Sequence, residues 1–588
     1  MPPRYELIVL GLAAIVFLGC MVSPPSLMDD VDAAQPQIAR NMIDSGDWVT
    51  PHLNGVAYLE KSPLKYWLIA VSMEIFGVRD WAARLPVALS AVGLCWLVFR
   101  IGCWAFSDKA GLYAGVVLST CVGLFLFTRF LIPDVLLTFT ITLALFSFAR
   151  ALDETELRPR LWAAVMAVSI GLGLLTKGLI AGLFPVGAAL TYLGVSGQIL
   201  QWETWRRLRV FSGVLIVLAI AAPWHVLATL RNPPYFYFGL HSNPGEYHGF
   251  FWFYFFNEHI LRFLNRRYPH DYNTVPRFYF WLYHLLWLFP WSAYFPAVAS
   301  LSFRPDDRAG RMRRLALCWI GFVLVFFTFS STQEYYSLPC YPALALLLGS
   351  AMTSTQAKTL RLGTRMVGIL SATAVATLGY ILSRVWTLPT PGDISNALRQ
   401  NPDSYTLSLG HAGDLTLDSF AYLRTPLIVA LVAFSIGVSA RWWRQPFAAL
   451  ALMMVLFFHA ASLALVSFDP YLSSRPLAEA LIQAPPGQLI EDDAYYTFSS
   501  VFFYANRTAL LLNGRKTNLE YGSNAPGAPD VFIDEDEFLR RWNLDERYYL
   551  LIEKPSLSRL VARLNPSRFI VVKDRGGKLL LTNHAVTN

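Results

Sequence analysis

Apolar runs close to 20 residues long alternate with short polar breaks over the first 467 positions, and such a run is what an α-helix needs to cross the hydrocarbon core of a bilayer. Candidate spans lie at 5–23, 83–104, 110–129, 132–150, 160–176, 178–195, 209–228, 279–300, 312–330, 338–354, 366–383, 425–440 and 446–467. The pattern predicts a polytopic α-helical membrane protein of about 13 transmembrane helices. The apolar stretch 64–77 is shorter and carries Glu74, so it reads as interfacial. Three intervening segments, 24–82, 229–278 and 384–424, are too long for simple connections, and their Trp, Tyr, Phe and Pro content is unlike disordered chain. Beyond 467 the pattern changes to that of a soluble α/β domain, 468–588. Strands are predicted at Tyr548–Ile552 and Arg568–Val572, and a helix at Ser556–Leu564.

Charge fixes the expected orientation. Only 15% of residues are charged against 55% hydrophobic, and the net charge of +8 sits in short clusters between apolar runs. These are Arg158 and Arg160; Arg206, Arg207 and Arg209; Arg304, Arg308, Arg311, Arg313 and Arg314; Lys358, Arg361 and Arg365; Arg441 and Arg444. They fall in alternate loops, which are cytoplasmic by the positive-inside rule. The N-terminus is then cytoplasmic, while the three long segments and 468–588 lie on the periplasmic side of a bacterial inner membrane. The same distribution argues against nucleic acid as a partner. The six cysteines lie in or beside apolar runs, so no disulfide framework or zinc site is expected in the C-terminal domain. The first apolar segment reads as a retained helix rather than a cleaved signal peptide.

Polar groups gather on the predicted outer face. The first long segment opens with Asp29, Asp30 and Asp32 and continues through Tyr58, Glu60 and Lys61. Arg129 with Asp134, Lys177, Glu258 with His259 and Arg262, and the Tyr335–Tyr336 pair are predicted at the same level. Lys177 lies between two apolar runs with scarcely a turn available, where an ionisable group is costly unless paired or facing a polar cavity. Carboxylates, lysine, arginine and tyrosine at such a boundary suit displacement of a phosphate leaving group. Lys and Arg stabilise its charge, and a carboxylate accepts the nucleophile's proton. Each group also has a plainer reading: a solvated acidic loop, a snorkelling lysine, a structural histidine.

The set DxD…SGDWxxPxLNGxxYxEKxPLxYW, RFLxPD, LTKG, APW, NEHxxRF and YYxLPxYPALALL resembles the GT-C superfamily of integral-membrane glycosyltransferases. Within it, the chain is similar to the bacterial protein-mannosyltransferase-like branch that includes the lipid A aminoarabinose transferase. The resemblance covers most of residues 5–355. It implies transfer of a sugar from a polyprenyl-phosphate donor to a lipid, protein or glycan acceptor, by inverting single displacement and without a nucleotide sugar. Carried over by position, Tyr58, Lys61, Lys177, Arg262 and Tyr336 line the carrier-phosphate site, with Glu60 and Asp134 beside it. Two departures bear on the site. Counted back without gaps from Tyr58, Val31 stands where the family's catalytic aspartate is expected. A one-residue shift restores Asp30 and Asp32 as an Asp-x-Asp pair, with Asp32 ranked first and Asp30 second. Asn257 replaces a histidine, so no metal or other cofactor is expected to be required. Glu258, His259, Tyr335, Glu491 and Asp493 are further candidates, the last two because the outer domain of relatives approaches the site.

Two other classes fit a polytopic chain with charges at one face: a lipid-linked sugar flippase and a non-catalytic envelope-assembly subunit. A transporter commonly shows two related halves with broken helices at mid-membrane, and no such repeat is visible here.

Overall fold

The structure, a computed structural model, describes residues 3–270, 274–399, 413–564 and 566–585. Parts of two predicted outer segments, 271–273 and 400–412, lie outside the described residues. The fold is a helical bundle carrying a C-terminal sheet. Among the described residues eight helices are long and apolar enough to cross a membrane: Pro3–Met21, Asp80–Ala105, Asp134–Leu152, Pro159–Lys177, Trp202–Arg231, Ala357–Val385, Asp418–Trp442 and Pro446–Leu472. Trp202–Arg231 and Ala357–Val385 are strongly apolar yet only 11% buried in their most hydrophobic windows. Such helices are stable only if lipid covers them.

The remaining predicted spans are shorter or broken, for local reasons. The run 110–129 divides into Asp108–Ser119 and Val122–Phe127. At the break Ser119 and Thr120 turn their hydroxyls back onto Gly115 and Val116 carbonyls, competing with the helical ladder. The run 279–300 divides into Arg277–Trp287 and short turns on either side of Pro290, which supplies no N–H. Likewise Pro339 sits in the 3₁₀ stretch Glu334–Cys340, leaving Tyr341–Ser354 as a 14-residue helix. Ile180–Val195 spans 16 residues, and Arg308–Thr328 is long but begins with arginines. The interfacial stretch is the helix Leu64–Phe76.

The first outer segment folds as the helix Val31–Ser45 and a small hairpin of β1 (His52–Leu53) and β2 (Val56–Ala57), closed by Asn54 and Gly55, both at positive φ. The C-terminal sheet contains β3 (Gln488–Asp492), β4 (Leu510–Leu512), β5 (Phe532–Ile533), β6 (Tyr548–Glu553), β7 (Ile570–Arg575) and β8 (Lys578–Thr582), in the order β5-β4-β3-β6-β8-β7. β3 pairs parallel with β4 and β6, whereas β8 runs antiparallel to both β6 and β7. Buried side chains of the first segment (Ala34, Ile38, Leu53, Tyr58, Tyr66) share one apolar cluster with those of the sheet unit (Leu477, Phe498, Leu511, Tyr549). The loop and the sheet are therefore one packed body above the bundle.

Candidate functional site

The acidic run after the first helix separates into three environments. Asp29 turns to the sheet unit: its carboxylate accepts from Ser500 N (2.9 Å), Ser500 Oγ (2.7 Å) and Lys578 Nζ (2.7 Å). Asp32 turns into the bundle, 1% exposed, where it pairs with Arg84 at 3.1 Å and accepts from the backbone N–H groups of Met28 and Leu131. Asp30 lies between them, half-buried, at φ 73° and ψ −143°. A non-glycine residue there costs about 1–3 kcal/mol and persists only where its surroundings fix it. Its N–H donates to Tyr496 O (2.8 Å), and its carbonyl accepts from Ser499 Oγ (2.8 Å). Asp32, ranked first from sequence, is thus occupied as the counter-ion of a buried arginine, a role the linear pattern could not distinguish from catalysis.

A second group is built around two carboxylates. Glu258 receives Arg262 Nη1 (2.9 Å), Lys61 Nζ (3.4 Å) and Arg267 Nε. Glu60 receives Arg267 Nη2 (2.7 Å), Asn518 Nδ2 (3.0 Å), Tyr58 Oη (3.2 Å) and, more loosely, Lys61 Nζ (3.5 Å). Burial pushes the Glu258 pKa up, but Arg267, Lys61 and Arg262 outweigh it and hold the carboxyl below the ordinary range. Lys61, Arg262 and Arg267 thus close around the carboxylates of Glu60 and Glu258. Tyr496 Oη donates to Tyr58 Oη (3.1 Å), which links this group to the backbone of Asp30. Tyr66 is fully buried beside it, with a hydroxyl that has no hydrogen-bond partner among the described residues. Burial and the neighbouring Glu60 charge raise the Tyr66 pKa well above its ordinary value, so the group remains a donor.

The third group surrounds Lys177, the last residue of its helix. Lys177 pairs with Asp134 at 2.6 Å and lies over the rings of Tyr335 (5.1 Å) and Tyr336 (4.9 Å). Two contacts tie this group to the second. Ser62 Oγ, next to Lys61, donates to Leu174 O (3.0 Å), and Leu179 N donates to His259 Nε2 (3.0 Å). Lys65, 4% exposed, holds Gln35 Oε1 and Leu131 O. Burial and then the charge of Lys61 push its pKa well below normal. Lys61, Lys177 and Arg262 are accordingly brought together, with Tyr58, Glu60, Glu258, Asp134, Tyr335 and Tyr336 among them.

Three further candidates have other partners in the structure. His259 donates from Nδ1 to Tyr254 O and accepts at Nε2 from Leu179 N; burial lowers its pKa to about 4. Both ring nitrogens are thereby used, and the ring braces the 178–179 turn. Asp493 forms an ion pair with Lys516. Glu491 is completely buried in β3, and burial followed by the nearby Asp29 charge raises its pKa well above the carboxylate range. Neither shows a contact with the Lys61 group. Asn257 uses its amide on the backbone of Tyr268, and Arg267 bridges the two carboxylates. Among the described residues no three His, Cys, Asp or Glu side chains are grouped to hold a metal ion.

Sequence reasoning missed Arg267, Lys65, Tyr496 and Asn518. Arg267 follows Arg262 by five positions and lies beyond the NEHxxRF pattern. Lys65 opens a helix read as interfacial, and the other two come from a distant part of the chain. A separate cavity of about 450 Å³, lined by Asp47, His52, Arg231, Tyr247 and the 525–528 loop, contains none of the Lys61 group.

A family model described as dolichyl-phosphate-mannose-protein mannosyltransferase matches residues 60–226. The undecaprenyl phosphate-alpha-4-amino-4-deoxy-L-arabinose arabinosyl transferase of Pectobacterium carotovorum is 28% identical over 85% of this chain and 84% of its own length. The Aeromonas salmonicida protein of the same name is 29% identical over 54% of each chain, so the alignment spans about half that relative. The crystal structure of ArnT from Cupriavidus metallidurans bound to undecaprenyl phosphate superposes with a TM-score of 0.78 at 21% identity, covering 100% of this chain and 99% of that one. That likeness establishes the fold.

Proposed function

We propose that this chain, an integral-membrane glycosyltransferase of the GT-C superfamily, transfers a sugar from a polyprenyl-phosphate carrier to an acceptor at the periplasmic face of a bacterial inner membrane. The observation that carries the reading is the convergence of Lys61, Arg262 and Arg267 on two buried carboxylates beside Lys177. Preorganised lysine and arginine side chains suit the developing charge of a phosphate leaving group. The N-terminus is cytoplasmic in this reading and the sheet unit periplasmic, by the distribution of arginines.

In the proposed reaction the phosphate lies against Lys61, Arg262 and Lys177, with Tyr336 at its edge. As the acceptor oxygen bonds to the anomeric carbon, the bond from that carbon to the phosphate oxygen breaks and its electron pair passes to the phosphate. The cations are already in place, so no reorganisation is needed when charge develops. Asp30 takes the acceptor side. It accepts the proton of an acceptor hydroxyl, and where the acceptor is itself a phosphate it orients that group. Asp32 holds Arg84 instead. The names of the relatives make undecaprenyl-phosphate-linked 4-amino-4-deoxy-L-arabinose the donor to assay, and the resemblance makes lipid A the acceptor.

The test is sugar transfer by the full-length protein in liposomes with that donor and lipid A. Wild type consumes donor; Lys61→Met raises the donor KM, and Asp30→Asn lowers kcat by about 10²–10³-fold. Donor that crosses between leaflets and is never consumed would make the protein a transporter.

A further inference from the structure

The two residues that begin the acidic run are both attached to the C-terminal sheet unit. Asp29 N donates to Leu472 O (2.8 Å), at the end of the last long helix. The Asp29 carboxylate is held by Ser474 Oγ, Ser500 N and Oγ, and Lys578 Nζ. Asp30 N donates to Tyr496 O, and Ser499 Oγ donates to Asp30 O. Two positions on, Asp32 is fixed in the opposite direction by Arg84 and Leu131 N of the bundle. Asp30 lies between these two sets of attachments, at φ 73°.

Lys578 has few alternatives. It begins β8, immediately after the Gly576–Gly577 turn, and its side chain is 13% exposed. It donates both to Asp29 Oδ2 and to Thr497 O, so one ammonium joins the acidic run to the turn that carries Tyr496. Gly576 packs so closely on Pro470 O that a side chain there would collide with it. The β7–β8 hairpin is therefore seated against the same end of the bundle from which Asp29 hangs.

We propose that Lys578, through Asp29 and the 496–500 turn, is a positioning residue for Asp30: the docked sheet unit holds that carboxylate in its productive backbone conformation. When the latch opens, Asp30 relaxes to an ordinary backbone conformation and its carboxylate leaves the acceptor side. The phosphate-side group, built from Lys61, Arg262, Arg267 and Lys177, stays assembled. The proposal rests on the reading of Asp30 as the acceptor-side carboxylate.

The experiment compares full-length Lys578→Met, Lys578→Arg, Ser499→Ala and Asp30→Asn in liposomes, with undecaprenyl-phosphate-linked 4-amino-4-deoxy-L-arabinose as donor. It adds donor binding and hydrogen exchange of the segment 27–33. Lys578→Met is expected to lower kcat by about 10²-fold at unchanged donor KM, the cost of displacing a reacting group by about 1 Å. Exchange at the Asp30 amide rises in the same variant, and Lys578→Arg restores both. Ser499→Ala, a small change inside the fold, shows the same split to a lesser degree. Wild-type kcat and wild-type exchange in both Lys578→Met and Ser499→Ala overturn the latch. So does a loss of donor binding in step with kcat in both, which marks general unfolding. Full activity of Asp30→Asn sinks the reading of Asp30, whatever the exchange data show.

Discussion

Asp29, Asp30 and Asp32 are neighbours in sequence and strangers in space. Asp29 is a docking residue, Asp32 an internal counter-ion, and only Asp30 keeps a half-buried carboxylate on a strained backbone. The two outer aspartates predict different phenotypes. Asp32→Asn leaves Arg84, itself 1% exposed, without its charge partner. Breaking a buried pair in this way typically costs about 3–5 kcal/mol. Its thermal midpoint in detergent should fall sharply and expression with it. Asp30→Asn should unfold at the wild-type temperature while transfer is lost. Equal midpoints for the two variants would contradict the assignment. Tyr58, Glu60, Lys61 and Lys177 were legible as candidates because polar groups at a membrane boundary are conspicuous. Arg267 was not, because its burial is produced by Glu60 and Glu258, which lie 207 and nine positions away.

Among elements, the Lys177–Gly178–Leu179 turn does more than join two apolar helices. Gly178 has φ +74°, and a Cβ there would collide with the His259 ring and the Tyr254 hydroxyl. The turn must be tight for Leu179 N to reach His259 and for Lys177 to face Asp134. Gly178→Ala is therefore expected to displace Lys177 and cut transfer by about 10-fold or more, with a lower unfolding midpoint. A variant with unchanged kcat and midpoint would show that the turn is not the strut described here. The helices themselves followed from hydropathy, but their lengths did not. Hydrophobic runs record where apolar surface is needed, whereas Pro290, Pro339 and the Ser119–Thr120 hydroxyls decide where the backbone ladder is interrupted.

At the scale of the whole molecule, the sheet unit and the first outer segment share an apolar cluster and a hydrogen-bonded seam through Asp29, Asp30 and Tyr58. Glu491 lies buried beneath that seam, its pKa raised by burial and by Asp29. The folded chain keeps a proton on Glu491 that the unfolded chain releases once pH exceeds the ordinary carboxylate range. Its contribution to stability is therefore fully present below that range and declines as pH rises from it towards the raised value of the folded chain. Glu491→Gln should raise the unfolding midpoint at neutral pH and flatten its fall between acid and neutral conditions; an unaltered pH slope would refute this. By itself the sequence determined that the chain is a helical membrane protein with a C-terminal sheet region, that its charged loops alternate, and which polar residues are out of place in apolar surroundings. Those are properties of single segments, set by the energy of leaving water. Only the tertiary structure decided which aspartate pairs with a buried arginine, which arginine binds two carboxylates, and that the far end of the chain holds the near end. Pairing energies depend on distance through space, and a linear pattern does not contain that distance.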